Sequence, residues 1–416
     1  MLSEPIGWQR KKIKEIGDVV GGGTPDRGNL AYWNGSIPWA TPTDITALKT
    51  IFISRTKECI SDEGLAKSSA KLHPKGTVLM TSRATIAYPA IAAVPIATNQ
   101  GFQSIRCKNG ISNKFIYYSL IGNRARLEKL SSGSTFAELS SSVFKEFELA
   151  LPPYNEQTEI SRVLSIIDAC LESNDLLLNK VTDLKKALLQ ELFTKGIGHK
   201  EFKDSPLGRI PITWNFNILN NVIKIIDCKH ITPKFVDEGY PFIRPRNVKS
   251  EGLDFSDIDH ISENDFMILT DKHKPKKGDI IFSRNATFGI PSYNDTDIDF
   301  AIGQDVVVMT ETDLPSKYIF FFLQSEIAKQ QIMKVSTGST FNRINLEFIR
   351  KLQVFVPPMA EQEKIINVFD SLEKRIKGIK AKIDSFIKLK QALMQDLLSG
   401  KVRVKIESQE LAGVIK

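Results

Sequence analysis

Apolar residues follow two patterns along this chain, and each pattern occurs twice. Over residues 1–150, and again before residue 355, they come in short runs broken by Gly, Pro, Asn and Ser. Thr77-Val-Leu-Met80, Phe147-Glu-Leu-Ala-Leu151, Asp279-Ile-Ile-Phe282 and Val306-Val-Val-Met309 are examples. Short runs between turn signals predict strands. Helices are predicted over Lys114–Leu130 and Lys317–Lys334, so each segment reads as a mixed α/β or mainly β globule. After Pro152-Pro153 and Pro357-Pro358 the spacing changes. Ile160, Leu164, Ile167, Leu171, Asn174, Leu178, Val181, Leu184 and Leu188 advance by alternating threes and fours. So do Ile365, Phe369, Leu372, Ile376, Ile379, Ile383, Phe386, Leu389 and Leu393. That spacing is a coiled-coil seam, and Pro suits the start of a helix but not its interior. Asn174 is either a register-setting polar residue in that seam or a solvated stutter.

The two halves are copies. Leu151-Pro-Pro-Tyr-Asn-Glu-Gln157 recurs as Val356-Pro-Pro-Met-Ala-Glu-Gln362, a shift of 205 residues. At the same shift Ala187-Leu-Leu-Gln-Glu-Leu192 finds Ala392-Leu-Met-Gln-Asp-Leu397, and Gly133-Ser-Thr-Phe136 finds Gly338-Ser-Thr-Phe341. Further upstream the shift varies slightly: Pro38-Trp39 and Pro42 match Pro241-Phe242 and Pro245 at 203, Gln100 matches Gln304 at 204, and Trp8 matches Trp214 at 206. Ordered matches at nearly constant offset mark an internal duplication. The expected organisation is a globule over 1–150, a long helix within 151–198, a linker and second globule over 199–355, a second long helix within 356–400 and a tail over 401–416.

A helix of some 40 residues spans roughly 60 Å. Its narrow apolar stripe needs a partner of similar length, and the equivalent helix of the other copy supplies one. The expected fold is therefore α+β: two mixed α/β globules separated by a two-helix antiparallel coiled coil, with pseudo-two-fold symmetry.

Composition narrows the function classes. With 56 basic and 48 acidic residues the net charge is +8, compatible with a polyanionic partner. The four cysteines are scattered without metal-ligand spacing, which suits a reducing, cytoplasmic setting. No segment approaches the ~18 apolar residues of a membrane span, and the first residues show no signal-peptide pattern. Leu151-Pro-Pro-Tyr154 differs by one residue from the Asn/Asp-Pro-Pro-Tyr loop of amino-methyltransferases, but leucine cannot accept a hydrogen bond from a target amine. Gly21-Gly22-Gly23-Thr24-Pro25 lacks the Gly-Lys-Ser/Thr of a phosphate loop. It aligns with Cys228-Lys-His-Ile-Thr-Pro233, and both read as turns facing a ligand. No catalytic or metal constellation is expected.

Candidate DNA-contacting residues lie in polar loops shared by the copies: Thr81, Ser82, Arg83 and Thr85 against Ser283, Arg284, Asn285 and Thr287. Ser134 and Thr135 match Ser339 and Thr340, which Asn342 and Arg343 follow. Lys234, Arg244, Arg246 and Asn247 in the second copy, and Thr41, Thr43 and Asp44 in the first, are further candidates. Arg with Ser, Thr or Asn is the chemistry that reads base edges and phosphates.

With these motifs the chain resembles the specificity subunits of type I restriction–modification systems, over nearly its whole length. The resemblance rests on the doubled Pro-Pro-x-x-Glu-Gln and Ala-Leu-x-Gln-x-Leu helix ends, on Gly22-Gly-Thr-Pro25 followed by Tyr32-Trp33 and Ile37-Pro38-Trp39, and on Thr81-Ser-Arg83 and Gly133-Ser-Thr135. It implies that each globule is a target-recognition domain reading half of a split double-stranded DNA sequence. It further implies two copies of a modification (methyltransferase) subunit and a restriction (motor–nuclease) subunit as partners, with S-adenosylmethionine held by the former and no cofactor or catalysis in this chain. A coiled-coil scaffold without sequence readout, and a DNA methyltransferase or nuclease in its own right, are the alternatives.

Overall fold

The computed structural model describes residues 5–83, 85–131, 138–284, 289–336 and 344–405. The chain divides into two units: residues 1–176 with 380–416, and residues 177–379. Each takes in half of each long helix, Tyr154–Leu192 and Met359–Leu398.

The first unit is built on two sheets. One orders its strands Gly17–Gly21, Gln103–Cys107, Val78–Met80, Pro89–Ala92, Phe52–Ile53; the other Glu58–Ile60, Trp33–Ala40, Ile96–Thr98, Leu72–His73. The strand Val78–Met80 is wholly buried because both its faces are covered, so it reads as a continuous apolar run. The second unit repeats the plan with Ile223–Asp227, Val306–Glu311, Ile280–Ser283, Ile290–Tyr293, beside Phe235–Val236, Asp259–Ile261, Tyr240–Ile243, Ala301–Ile302. A parallel pairing of Trp39 with Ala97 in the first recurs as Phe242 with Ala301 in the second. Mixed α/β units with this shared topology are the expected fold.

Within each unit the helix halves pair antiparallel. In the first, Ile160 and Leu164 share a core with Met394 and Leu397, and Lys390 Nζ lies 2.6 Å from the Asp168 carboxylate. In the second, Leu189 and Phe193 share a core with Ile365 and Phe369, and Lys185 Nζ lies 2.9 Å from Glu373. The ion pairs are one pair seen twice, since Asp168 and Lys185 become Glu373 and Lys390 at the repeat shift of 205. The expected seam needs one symmetric correction. Leu184 and Leu389 are 49% and 43% exposed, and the lysine after each turns inward instead. A 3.6-residue helix drifts off a 3.5-residue stripe, and a lysine stem covers apolar surface while its ammonium finds a carboxylate. Asn174 bonds the Cys170 carbonyl of its own helix.

Two other expectations are refined. The helices predicted over Lys114–Leu130 and Lys317–Lys334 are each broken, into Asn113–Gly122 and Arg124–Lys129, and into Ser316–Gln324 and Glu326–Ser336. Ser325 at the second break is extended, and such a residue interrupts the helical hydrogen-bond ladder.

The Pro-Pro-x-x-Glu-Gln motif has a structural explanation. Each glutamine turns back to donate to a carbonyl before the helix, Gln157 to Pro152 at 2.9 Å and Gln362 to Pro357 at 2.8 Å. Each glutamate is a clasp. Glu156 accepts from the indole N–H of Trp8 and from both Nε and Nη2 of Arg403; Glu361 accepts from the indole of Trp214, from His199 Nε2 and from the backbone N–H of Ile197. The start of one helix thereby holds the segment that follows the other.

The glutamines differ in one bond. The Gln157 side-chain amide oxygen accepts the backbone N–H of Ser112, the N-cap of Asn113–Gly122. The equivalent N-cap in the second unit is Pro315, which has no N–H, and the Gln362 oxygen is buried without a partner among the described residues. Pro315→Ser supplies the missing donor and a capping hydroxyl against a small loss of chain stiffness. It is expected to stabilise the protein by about 1 kcal/mol, read as a higher urea midpoint with unchanged slope.

Candidate nucleic-acid interface

The polar loops after Val78–Met80 and Ile280–Ser283 separate into buried and exposed parts. Thr81 and Ser82 are fully buried: the Thr81 hydroxyl donates to the Thr85 carbonyl, and the Ser82 N–H donates to Gly101 at 2.7 Å. Thr85 Oγ1 is also enclosed. Ser283 is buried as the last residue of its strand, between Ile290 and Val306. Arg284 is only 6% exposed; its Nε donates to the Ile344 carbonyl and its Nη1 lies 2.9 Å from Asp227. Read from sequence as loop residues facing DNA, Thr81, Ser82, Ser283 and Arg284 have their polar groups turned into the fold. Arg83 stays at the surface, 2.8 Å from Glu138. The two arginines sit one place apart in the alignment, and neighbours in extended chain point to opposite sides. Ser134, Thr135, Asn285, Thr287, Ser339, Thr340, Asn342 and Arg343 lie outside the described residues.

A second surface forms where the Thr-Pro turn, the turn after the central strand of the smaller sheet, and the glutamine loop converge. In the second unit it is a groove of about 400 Å³ between Thr232-Pro233, Phe235, Arg244-Pro245-Arg246 and Gln304. Both guanidiniums reach one carboxylate oxygen of Asp259, at 2.9 and 3.1 Å, and Arg244 lies over the Phe235 ring. Asn247 is buried and caps the turn from inside. The same three segments meet in the first unit. The Thr24 hydroxyl donates to Gln100, the Trp39 indole donates to the Gly23 carbonyl, and Arg27 stacks on Trp33 at 3.9 Å while paired to Glu58. The glycine-rich turn needs its glycines, since a Cβ on Gly22 would lie 2.1 Å from the Asn99 carbonyl oxygen. Sequence reading placed Arg244 and Arg246 among the candidates but gave no sign that Gln304 joins them.

Among the described residues, one group has metal-ligand chemistry at close range: Asp227, Cys228 and His230. Asp227 already holds Arg284, and burial with the adjacent carboxylate pushes the Cys228 thiol up to about 11, so it stays protonated at neutral pH. His73 in the first unit is buried beside Thr98, and desolvation together with Arg106 lowers its pKa to about 4. The unfolded chain then binds the extra proton between pH 6.5 and 4, so this residue's contribution is present above pH 6.5 and is lost as pH falls to about 4. His73→Gln is expected to remove about 2–3 kcal/mol of the stability lost between pH 7 and pH 4, seen in urea midpoints measured across that range.

Two strand-rich units that share a core strand order and differ in their edge strands, each displaying a cationic or hydroxyl-lined turn, define a duplicated recognition protein. Known proteins match it throughout. The family model described as type I restriction modification DNA specificity domain matches residues 5–183 and again 211–388. The MjaIX type I restriction enzyme specificity subunit of Methanocaldococcus jannaschii is 30% identical over 416 residues, covering 96% of this chain and 94% of that one. The MjaVIII specificity subunit of the same organism is 25% identical over 305 residues, 70% of each chain. The crystal structure of a type I system S subunit from M. genitalium shares the fold with a TM-score of 0.61 at 16% identity, covering 95% of this chain and 97% of that one. The chain belongs to the specificity subunits of type I restriction–modification systems, and it carries the DNA specificity domain twice. No helix among the described residues is long and apolar enough to cross a membrane.

Proposed function

We propose that each unit reads one half of a bipartite double-stranded DNA target. The long helices set the gap between the halves and dock two methyltransferase subunits. Those subunits hold S-adenosylmethionine and, with a motor–nuclease subunit, carry out the chemistry; this chain contributes recognition and no catalytic group. The observation that carries the reading is the doubled specificity domain, one core strand order with different exposed side chains in each copy. Half-site spacing follows from protein geometry, phosphate contacts supply affinity, and side chains at the turns supply base choice.

The test is to exchange residues 1–150 for the same region of another specificity subunit and map methylated adenines across a host genome. One half of the target is expected to change and the other to persist. A single undivided motif, or methylation without sequence preference, would refute the proposal. Methyl transfer by the isolated chain would show instead an enzyme in its own right.

A further inference from the structure

The turn after each central strand is shaped by one device in both units. In the first, the Asp44 carboxylate accepts the backbone N–H of Thr41 at 2.8 Å; in the second, the Asn247 amide oxygen accepts that of Arg244 at 3.1 Å. These residues are equivalent, 203 positions apart, and both caps are buried. Asn247 also donates to the carbonyls of Asp254 and Asp257. What the turns display differs. Arg244 and Arg246 stand exposed on the second, where the first carries Thr41 and Thr43.

We propose that this capped turn is the base-reading element of each unit, and that in the second unit Arg244 and Arg246 read guanine through the major groove. The inference rests on the assignment of the chain as a DNA-specificity subunit and names side chains within it. Guanine presents N7 and O6 side by side, and a guanidinium meets both with two parallel N–H donors. Each arginine has five N–H donors, and sharing the Asp259 carboxylate uses few of them while fixing where the planar groups point. The two guanidiniums share the Asp259 carboxylate, Asp257 approaches Arg246 at 3.9 Å, and Asp305 also lines the groove, so the arginines offer directed N–H donors rather than a surplus of positive charge. The Phe235 ring and Pro233 give the groove an apolar wall against which a base edge can lie.

The first unit offers no arginine at these places. Its nearby Arg27 is held by Glu58 and packed on Trp33 and Trp39; Thr43 is exposed on the turn, while the Thr41 hydroxyl donates to the buried Asp44 cap. A common frame with different reading side chains suits two half-sites of unlike sequence.

The experiment uses the assembled complex of the full chain with its methyltransferase subunits. A plasmid library randomised at both half-sites is modified in cells, and methylated adenines are sequenced for the native chain and for Arg244→Ala, Arg246→Ala and Thr43→Ala. Each arginine variant is expected to relax one guanine position in one half-site by roughly 5- to 150-fold, with the remaining positions and the other half unchanged. Thr43→Ala is expected to act only on the opposite half. Uniform weakening at every sequence would assign the arginines to phosphates and overturn the proposal. Loss of the whole half-site would assign them to folding and overturn it too, as would variants that leave the motif intact. Failure of the native chain to yield a split motif would instead remove the underlying functional reading.

Discussion

Replacing Glu361 with alanine is expected to destabilise the second unit by about 3–4 kcal/mol, read as a lower urea or thermal midpoint. Three donors converge on this carboxylate: the backbone N–H of Ile197 at 2.8 Å, His199 Nε2 at 2.9 Å and the indole N–H of Trp214 at 2.9 Å. Trp214 is fully buried, so its N–H has no water to turn to once the acceptor is gone. An unsatisfied buried donor costs about 1–3 kcal/mol, and bonds to a charged acceptor are the stronger ones. Gly196 lets the backbone pass this close to the carboxylate. It holds a left-handed φ of +64°, and a Cβ there would meet the Glu361 oxygen at 2.6 Å. The equivalent Glu156→Ala is expected to cost less, about 1–2 kcal/mol, because Arg403 is 43% exposed and water can solvate the freed guanidinium. A Glu361→Ala protein within 1 kcal/mol of the native one would mean that the clasp is ornamental.

The doubling, the long helices and most of the seam were legible because they rest on local periodicity and on self-alignment. Those signals survive without knowing the tertiary structure. The seam erred only at Leu184 and Leu389, where a heptad stripe and a true helix diverge by enough to trade leucine for the next lysine. The clasps left a visible trace, a glutamate and a tryptophan both conserved between copies, but nothing in the spacing says that they meet across nearly 150 residues. Burial of Thr81, Ser82 and Arg284 was illegible for a different reason. Polar residues at a strand end look the same whether the next layer is solvent or a carbonyl such as that of Ile344. The groove at Arg244 and Arg246 combines three loops distant in sequence, and only the strand order brings them together.

Truncating Phe369 to alanine is expected to cost about 3–5 kcal/mol, the upper range for a buried aromatic. The side chain is fully enclosed, stacked on Phe193 at 5.9 Å and tilted against Phe321 at 4.9 Å. These rings come from the second long helix, the end of the first, and the helix Ser316–Gln324 of the same unit, so the cavity would open at the joint among all three. A double-mutant cycle with Phe193→Ala should give a coupling of about 0.5–1.5 kcal/mol beyond simple area loss. At the equivalent place the first unit has Leu164, also fully buried, in a core that includes Tyr118, Met394 and Leu397. Phe369→Leu is therefore a test of whether the copies have kept interchangeable cores. It is expected to recover most of the loss, because leucine fills the greater part of the volume, yet it forfeits the ring contacts to Phe193 and Phe321. If Phe369→Leu were as damaging as alanine, shape rather than buried volume would govern the joint. With destabilisation confined to the second unit, its half of the DNA motif should fade first as temperature rises, while the half read by the first unit persists.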